Sequence, residues 1–287
     1  MSAAVNRRAT YTHGHHESVL RSHKWRTAEN SAAFLLNELR PGQRLLDLGC
    51  GPGTISLDLA ERVAPDGTLA PGGTLGIDAA FEVLRGAKTT IGPRADTAGL
   101  SFAMGDIFRL PLSDASFDVA HAHQVLQHLA RPIDALVEVR RVLRPGGLLA
   151  VRDSDYGGFV WGPPDPVLDR WMELYHEVTA HNSGEADAGR YLITWVRAAG
   201  FENLRVSSST WTFAEPESRR WWGDLWAERT VSSSFGSQAV EYGLSYPAEL
   251  EAIAEAWRSW SRDSNAFFMV PHIEILAVRP ARRASRG

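Results

Sequence analysis

The stretch Leu45-Leu46-Asp47-Leu48-Gly49-Cys50-Gly51-Pro52-Gly53-Thr54 constrains the fold of this chain more than any other. A short apolar run, the pattern of a buried strand, ends in glycines at alternate positions, and a helical pattern begins at Thr54. Glycines there let the backbone take positive φ and approach a ligand closely. Strand–glycine turn–helix units also serve dinucleotides. Two features weigh against that use here. No glycine fills the third position of G-x-G-x-x-G, and Asp47 stands just before the turn. A carboxylate there would repel a pyrophosphate but suit a cationic amino-acid moiety.

Further along, apolar runs at 44–48, 74–77, 100–104, 117–121 and 148–152 read as strands. Helical patterns at 54–63, 81–88 and 132–142 fall between them. Such alternation predicts βαβ units and a parallel sheet covered on both faces. After Tyr156 the alternation breaks. Helices are expected at 166–182, 188–199 and 248–262, extended segments at 204–213 and 266–278, and a tryptophan-rich block at Trp221, Trp222 and Trp226. The expected class is therefore α/β, a Rossmann-like mostly parallel sheet with a helical cap. We divide the chain into an N-terminal lid segment (1–30), a cofactor-binding core (31–155), cap insertions (156–186 and 215–263), the remainder of the sheet (187–214 and 264–280) and a tail (281–287). Ala64-Pro-Asp-Gly-Thr-Leu69 is repeated almost exactly as Ala70-Pro-Gly-Gly-Thr-Leu75. We read this as a tandem insertion in a surface loop, which costs little.

Composition narrows the function classes. With 287 residues, 44% of them hydrophobic, the chain can build one core plus a cap. Net charge is −4, and the only concentrated basic run is the tail from Arg279 to Arg286, so no nucleic-acid partner is expected. No apolar run is long enough for a membrane span and no secretory signal is visible, which predicts a cytoplasmic protein without integral membrane association. Cys50 is the single cysteine, so an internal disulfide is excluded.

Taken in order, these segments resemble the Rossmann-like S-adenosylmethionine-dependent methyltransferases. The pattern from Asp47 to Gly53 is similar to that family's first motif. Asp78 ends the second strand, where the resemblance implies a carboxylate holding both ribose hydroxyls, with Ala79 beside it. It lies 25 positions after Gly53, and removing the repeat brings this to 19, against roughly 20 for a ribose-binding acid. Gly105-Asp106-Ile107 resembles the adenine-binding turn, with Asp106 and Ile107 at the base. Phe117-Asp118-Val119 through His128 resembles the fourth-strand segment, which sets His123 and Gln124 against the methionine part. Leu143 to Gly147 resembles the turn before strand five. The implied cofactor-binding set is Asp47, Gly49, Cys50, Gly51, Gly53, Asp78, Ala79, Asp106, Ile107, His123 and Gln124, with S-adenosylhomocysteine as product. The N-terminal segments from Tyr11 to Glu17 and from Trp25 to Asn30, with Trp221-Trp222-Gly223, resemble more narrowly a bacterial and fungal group related to ubiquinone/menaquinone-biosynthesis methyltransferases.

A sulfonium methyl is already activated, so such an enzyme mainly aligns a nucleophile and excludes water. A general base matters only where the acceptor must lose a proton. His123 is the best-placed base, with cofactor contact as its other role. His128 reads as a wall residue or a catalytic one, and His121 as a packed histidine. Asp153 and Asp155 follow strand five, from where a carboxylate can orient an acceptor, and Tyr156 lines the pocket or donates to it. Tyr11, His15 and Trp25 are expected to form part of a lid. The cluster His13, His15, His16 and Glu17 is read as lid rather than metal site, since adjacent histidines diverge and methyl transfer needs no metal.

The expected function is methylation of a small organic acceptor by in-line displacement. The alternatives are C-methylation of a quinone ring, or a non-methylating rearrangement that uses the sulfonium as charge. A homodimer is compatible with the sequence.

Overall fold

A computed structural model of the chain describes Thr12 and residues 16–64 and 73–281. Tyr11, His13, His15, most of the tandem repeat and the end of the tail lie outside the described residues.

Three short helices, α1 (Glu17–Lys24), α2 (Ala28–Ser31) and α3 (Ala33–Leu36), precede the sheet. The alternating half follows as β1 (Leu45–Leu48), α4 (Thr54–Val63), β2 (Thr74–Asp78), α5 (Phe81–Thr97), β3 (Leu100–Met104), β4 (Phe117–His123), α6 (Pro132–Val142) and β5 (Leu143–Ser154). Beyond it come β6 (Val160–Gly162), α7 (Pro166–His181), α8 (Ala188–Ala198), β7 (Glu202–Phe213), α9 (Pro216–Ser232), α10 (Ser234–Glu241), α11 (Pro247–Arg262) and β8 (Phe267–Val278).

The expected α/β class is the one observed. Strands run in the order β3-β2-β1-β4-β5-β8-β6, with β7 along the other edge of β8. The first five strands are mutually parallel, and β8 is antiparallel to β5, β6 and β7. Strand order reverses at β1, between β2 and β4. In doubly wound sheets, ligands bind in the crevice that such a reversal opens beyond the carboxyl ends of the strands.

Because side chains alternate across a strand, each strand splits its residues between two faces. Leu46, Leu48, Ala120, Ala122, Leu149, Val151, Ile275 and Ala277 pack beneath α6 and α8, against Leu136, Val139, Leu192 and Val196. Leu45, Val119, Ala150 and Leu276 face the other way, against α4 and the N-terminal helices. Continuing that second face toward the carboxyl ends brings Asp47 and His121 level with each other, and His123, Arg152 and Glu274 into the next row. The cap has its own core, in which Trp171, Trp226, Trp257 and Phe268 are almost wholly buried. Each tryptophan removes about 150–250 Å² from water, worth at most roughly 4–6 kcal/mol. The cap is thus fixed to the sheet through β8. Among the described residues no helix is long and apolar enough to cross a membrane.

Candidate active site

The glycine turn needs its glycines for stated reasons. Gly49 sits at φ +62°, and a Cβ there would lie 2.5 Å from Val125 Cγ2. Gly53 caps α4 at φ +78°, where a Cβ would meet Phe102 Cζ at 2.7 Å. Asp78 braces the turn from β2: its carboxylate accepts from Gly51 N–H at 3.0 Å and from Ala80 N–H at 2.9 Å. A carboxylate has about four lone-pair sites, so Asp78 can still accept from a ligand. Asp106 forms its own turn, accepting from Phe108 N–H at 2.9 Å. The Cys50 thiol is buried, and burial together with the charges of Asp47 and Asp78 pushes its pKa far up, so it stays an inert thiol.

Beyond the carboxyl ends of the strands lies a cavity of about 1000 Å³. On the β1–β3 side it is lined by Asp47, Gly49, Cys50, Gly51, Asp78, Ala79, Asp106 and Ile107. On the β7–α9 side it is lined by Trp211, Trp221, Trp222 and Trp226, with Tyr156, Phe159 and Arg229. His121, His123, Gln124 and His128 lie between, and Leu20, Ser22, His23, Trp25 and Arg26 reach it from the N-terminal segment.

That segment is tied down across the opening. Arg21 pairs with Glu228 of α9, and Arg229 Nη2 donates to Ser22 Oγ at 2.8 Å. Trp25 packs edge-on against Trp211 at 5.2 Å and beside Trp221 at 5.4 Å. Trp211 Nε1–H donates to the carbonyl of Asn30 at 2.7 Å, and Arg26 lies over the Trp211 ring. His16 caps α1 by accepting from Ser18 N–H.

Asp47 is buried, with one oxygen 2.7 Å from His121 Nδ1 and the other accepting from Ser56 Oγ. A carboxylate only accepts, so His121 carries a proton on Nδ1, and in the neutral ring Nε2 is left as an acceptor. That nitrogen is buried and has no protein partner. Asp47 is thus hydrogen-bonded within the protein on both oxygens, and His121 is packed against it.

Asp153 departs from its expected role. It is fully buried and absent from the cavity wall, and one of its oxygens accepts from Gln127 N–H at 3.2 Å beneath the turn after β4. Burial pushes its pKa up to about 7. A carboxyl group with no face on the cavity cannot orient an acceptor there. Asp155 is likewise occupied, held by Arg190 Nε at 2.8 Å. Tyr156 lines the cavity and stacks on Tyr175 at 4.0 Å, and burial raises its pKa. His128 is half-buried with Nε2 3.1 Å from Gln127 Nε2, and desolvation lowers its pKa to about 3.

The sequence reading missed Arg152, His272 and Glu274. Gln124 Nε2 lies 2.9 Å from His272 Nε2, and the fully buried Arg152 pairs with Glu274 at 3.2 Å. The alternation of polar His272 and Glu274 with Ile273 and Ile275 in a strand expected to be buried was the available signal.

Residues 39–200 match the family described as Methyltransferase domain. The chain belongs to that family. An uncharacterized methyltransferase of Schizosaccharomyces pombe is 32% identical over 271 residues, covering 93% of this chain and 95% of the relative. The ubiquinone/menaquinone biosynthesis C-methyltransferase UbiE of Roseobacter denitrificans is 30% identical over 184 residues, covering 58% of this chain and 69% of the relative. Among solved structures, the YcgJ protein of Bacillus subtilis shares the fold at a TM-score of 0.56 and 18% identity, over 88% of this chain and 99% of its own. The chain is an S-adenosylmethionine-dependent methyltransferase, as its glycine turn and strand ends implied.

Proposed function

We propose that this methyltransferase holds S-adenosylmethionine on the β1–β3 side of the cavity and methylates a small, planar, mostly apolar molecule seated against the tryptophans. One observation carries the reading: a single cavity runs from the glycine turn to the aromatic wall, beneath the N-terminal helix and α9.

The residues present fit the cofactor. Gly49 and Gly51 line the cavity with bare backbone, while Gly53, expected at the cofactor, is off the cavity wall and faces Phe102 and Ile91 instead. Asp78 keeps acceptor capacity for ribose hydroxyls, and Asp106 and Ile107 line the same side of the cavity, which supports a role at the adenine. In the neutral ring, Nε2 of His121, backed by Asp47, is a hydrogen-bond acceptor suited to an ammonium group. When bound, the cofactor supplies a methyl group already activated on a sulfonium. The protein's part is alignment and exclusion of water, and alignment of this kind contributes about 7–11 kcal/mol.

Aromatic side chains offer large, rigid, flat contact area. The cap built from α7, α9, α10 and α11 covers the approach that a nucleic acid or folded protein would need. Residues 16–30 act as a lid, fixed by the Arg21–Glu228 and Arg229–Ser22 contacts.

The test is incubation of the whole chain with methyl-labelled S-adenosylmethionine and separate pools of small phenols, quinols and amines, of RNA and of protein. Label in an organic-extractable product with matching S-adenosylhomocysteine is the expected result. Label only in macromolecules would overturn the acceptor class, and turnover without S-adenosylhomocysteine would replace methylation with rearrangement.

A further inference from the structure

Four polar side chains form a ladder across the sheet. His123 of β4 is the register partner of Arg152 in β5, Arg152 that of Glu274 in β8, and Glu274 that of Ser207 in β7. All four therefore share the face that carries the cavity. Glu274 accepts from Ser207 Oγ at 2.8 Å and from Ser209 Oγ at 2.5 Å, and its Oε1 lies 3.2 Å from Arg152 Nε. Ser209 Oγ also takes an Arg152 Nη2–H at 2.9 Å. At the other end of the guanidinium, Nη1 lies 3.3 Å from His123 Nδ1.

A guanidinium has donors and no acceptor. His123 Nδ1 must therefore accept, and a neutral ring that accepts at Nδ1 carries its proton on Nε2. That Nε2 is buried without a protein partner, in a residue that lines the cavity. His121, two positions earlier on the same face, is set the opposite way by Asp47. The two histidines thus present one acceptor and one donor. The donor lies toward the tryptophans, with the His123 ring 5.7 Å from that of Trp211.

We propose that His123 is a fixed hydrogen-bond donor, its Nε2–H holding an oxygen of the methyl acceptor, and that it is not the base that deprotonates it. This rests on the reading that the tryptophan side of the cavity holds the acceptor. An acceptor bearing an anionic oxygen, such as a phenolate or enolate, fits best, because the donor is backed by Arg152 and neighboured by Arg26. Its proton is lost to water before binding. The acceptor's electron pair then forms the new bond to the methyl carbon, and the carbon–sulfur bond breaks with its pair kept by sulfur. The groups facing His123 are Arg152, Arg26, His272 and His121, with Glu274 and Asp153 acting on Arg152. Burial, then the charge of Arg152, holds the His123 ring neutral well below its ordinary range.

Nitrogen-15 NMR of the full chain, labelled in its histidine rings and assigned with His123→Gln, reads the tautomer directly. The expected result is a protonated Nε2 and a bare Nδ1 from pH 5.5 to 8.5, with the Nε2–H signal little changed by saturating S-adenosylhomocysteine. A proton on Nδ1, or conversion to imidazolium near pH 6.5, would overturn the proposal. A large Nε2–H shift on adding S-adenosylhomocysteine would overturn it too, by assigning the donor to the cofactor. If S-adenosylhomocysteine did not bind at all, the cofactor reading would fail while the tautomer result stood. In turnover, His123→Ala should lose about 10²–10³-fold, and His123→Gln, whose amide still donates, should recover most of it. Equal loss in both variants, together with loss of the acid limb of the pH profile, would identify a base instead.

Discussion

Asp47 and His121 are register partners across the β1–β4 pair, and the His121 Nδ1–H donates to the Asp47 carboxylate at 2.7 Å. Both side chains are buried, and Ser56 takes the second carboxylate oxygen. The pair stands at the topological switch point, so the charge beside the glycine turn is built into the sheet itself.

Replacing His121 by Phe should leave Asp47 buried with only Ser56 as side-chain partner. Losing a hydrogen bond to a charged group costs about 1.5–3 kcal/mol. Urea denaturation should show a loss of that size. A change below about 0.5 kcal/mol would mean that the pair is not needed for folding.

Asp78→Ala should weaken S-adenosylhomocysteine binding. It removes a charged hydrogen-bond partner worth about 1.5–3 kcal/mol, or roughly 10- to 150-fold in affinity. The same change frees the Gly51 and Ala80 amides that Asp78 now holds. Calorimetry on the variant checks this, and unchanged affinity would remove Asp78 from the ribose site.

Asp153 titrates near pH 7 in the folded chain and near 4 when unfolded. Between those values the folded chain keeps a proton that the unfolded chain has lost. Its stability therefore falls as pH rises from about 4 to about 7 and levels off above that. Asp153→Asn removes this dependence. Relative to the parent, the variant should gain up to about 4 kcal/mol between pH 4 and pH 8, read from urea midpoints. Parallel pH profiles for the two proteins would contradict the assignment.

Deleting residues 1–26 removes α1 and Trp25 while leaving every strand in place. The core should still fold, with turnover lower by about 10²-fold, the loss that a small misplacement of reactants can cause. Circular dichroism and a turnover assay decide it together. Full activity would show that the segment is no lid.

Much of this was legible in the sequence because local pattern and tertiary environment agree in the first half. Strand-then-glycine at Leu48–Gly49 and the buried alternation around β4 dictate their own structure. Where they disagree, the pattern stopped short. The helix expected at 81–88 runs on through Pro93 to Thr97, because Ile91 and Ala95 pack with Leu57, Ala60 and Leu100. The tryptophan block became α9, which buries residues around most of its circumference and so lacks helical amphipathic periodicity. α10 and β6 were too short to announce themselves. In the site, the glycine turn was legible as strand, turn and helix, and its tie to a cofactor came from the resemblance to the family. The ladder of His123, Arg152, Glu274 and Ser207 could not, because its members are far apart in sequence and meet only through strand order. Tyr11 and His15 lie outside the described residues, and their lid role stands as proposed.

Calorimetric titration of the full chain with S-adenosylmethionine, S-adenosylhomocysteine and NAD tests the central claim most directly. Saturable binding of the first two, with none for NAD, is the predicted result. Binding of NAD alone, or of none of the three, would contradict the assignment of the glycine-turn cavity to S-adenosylmethionine.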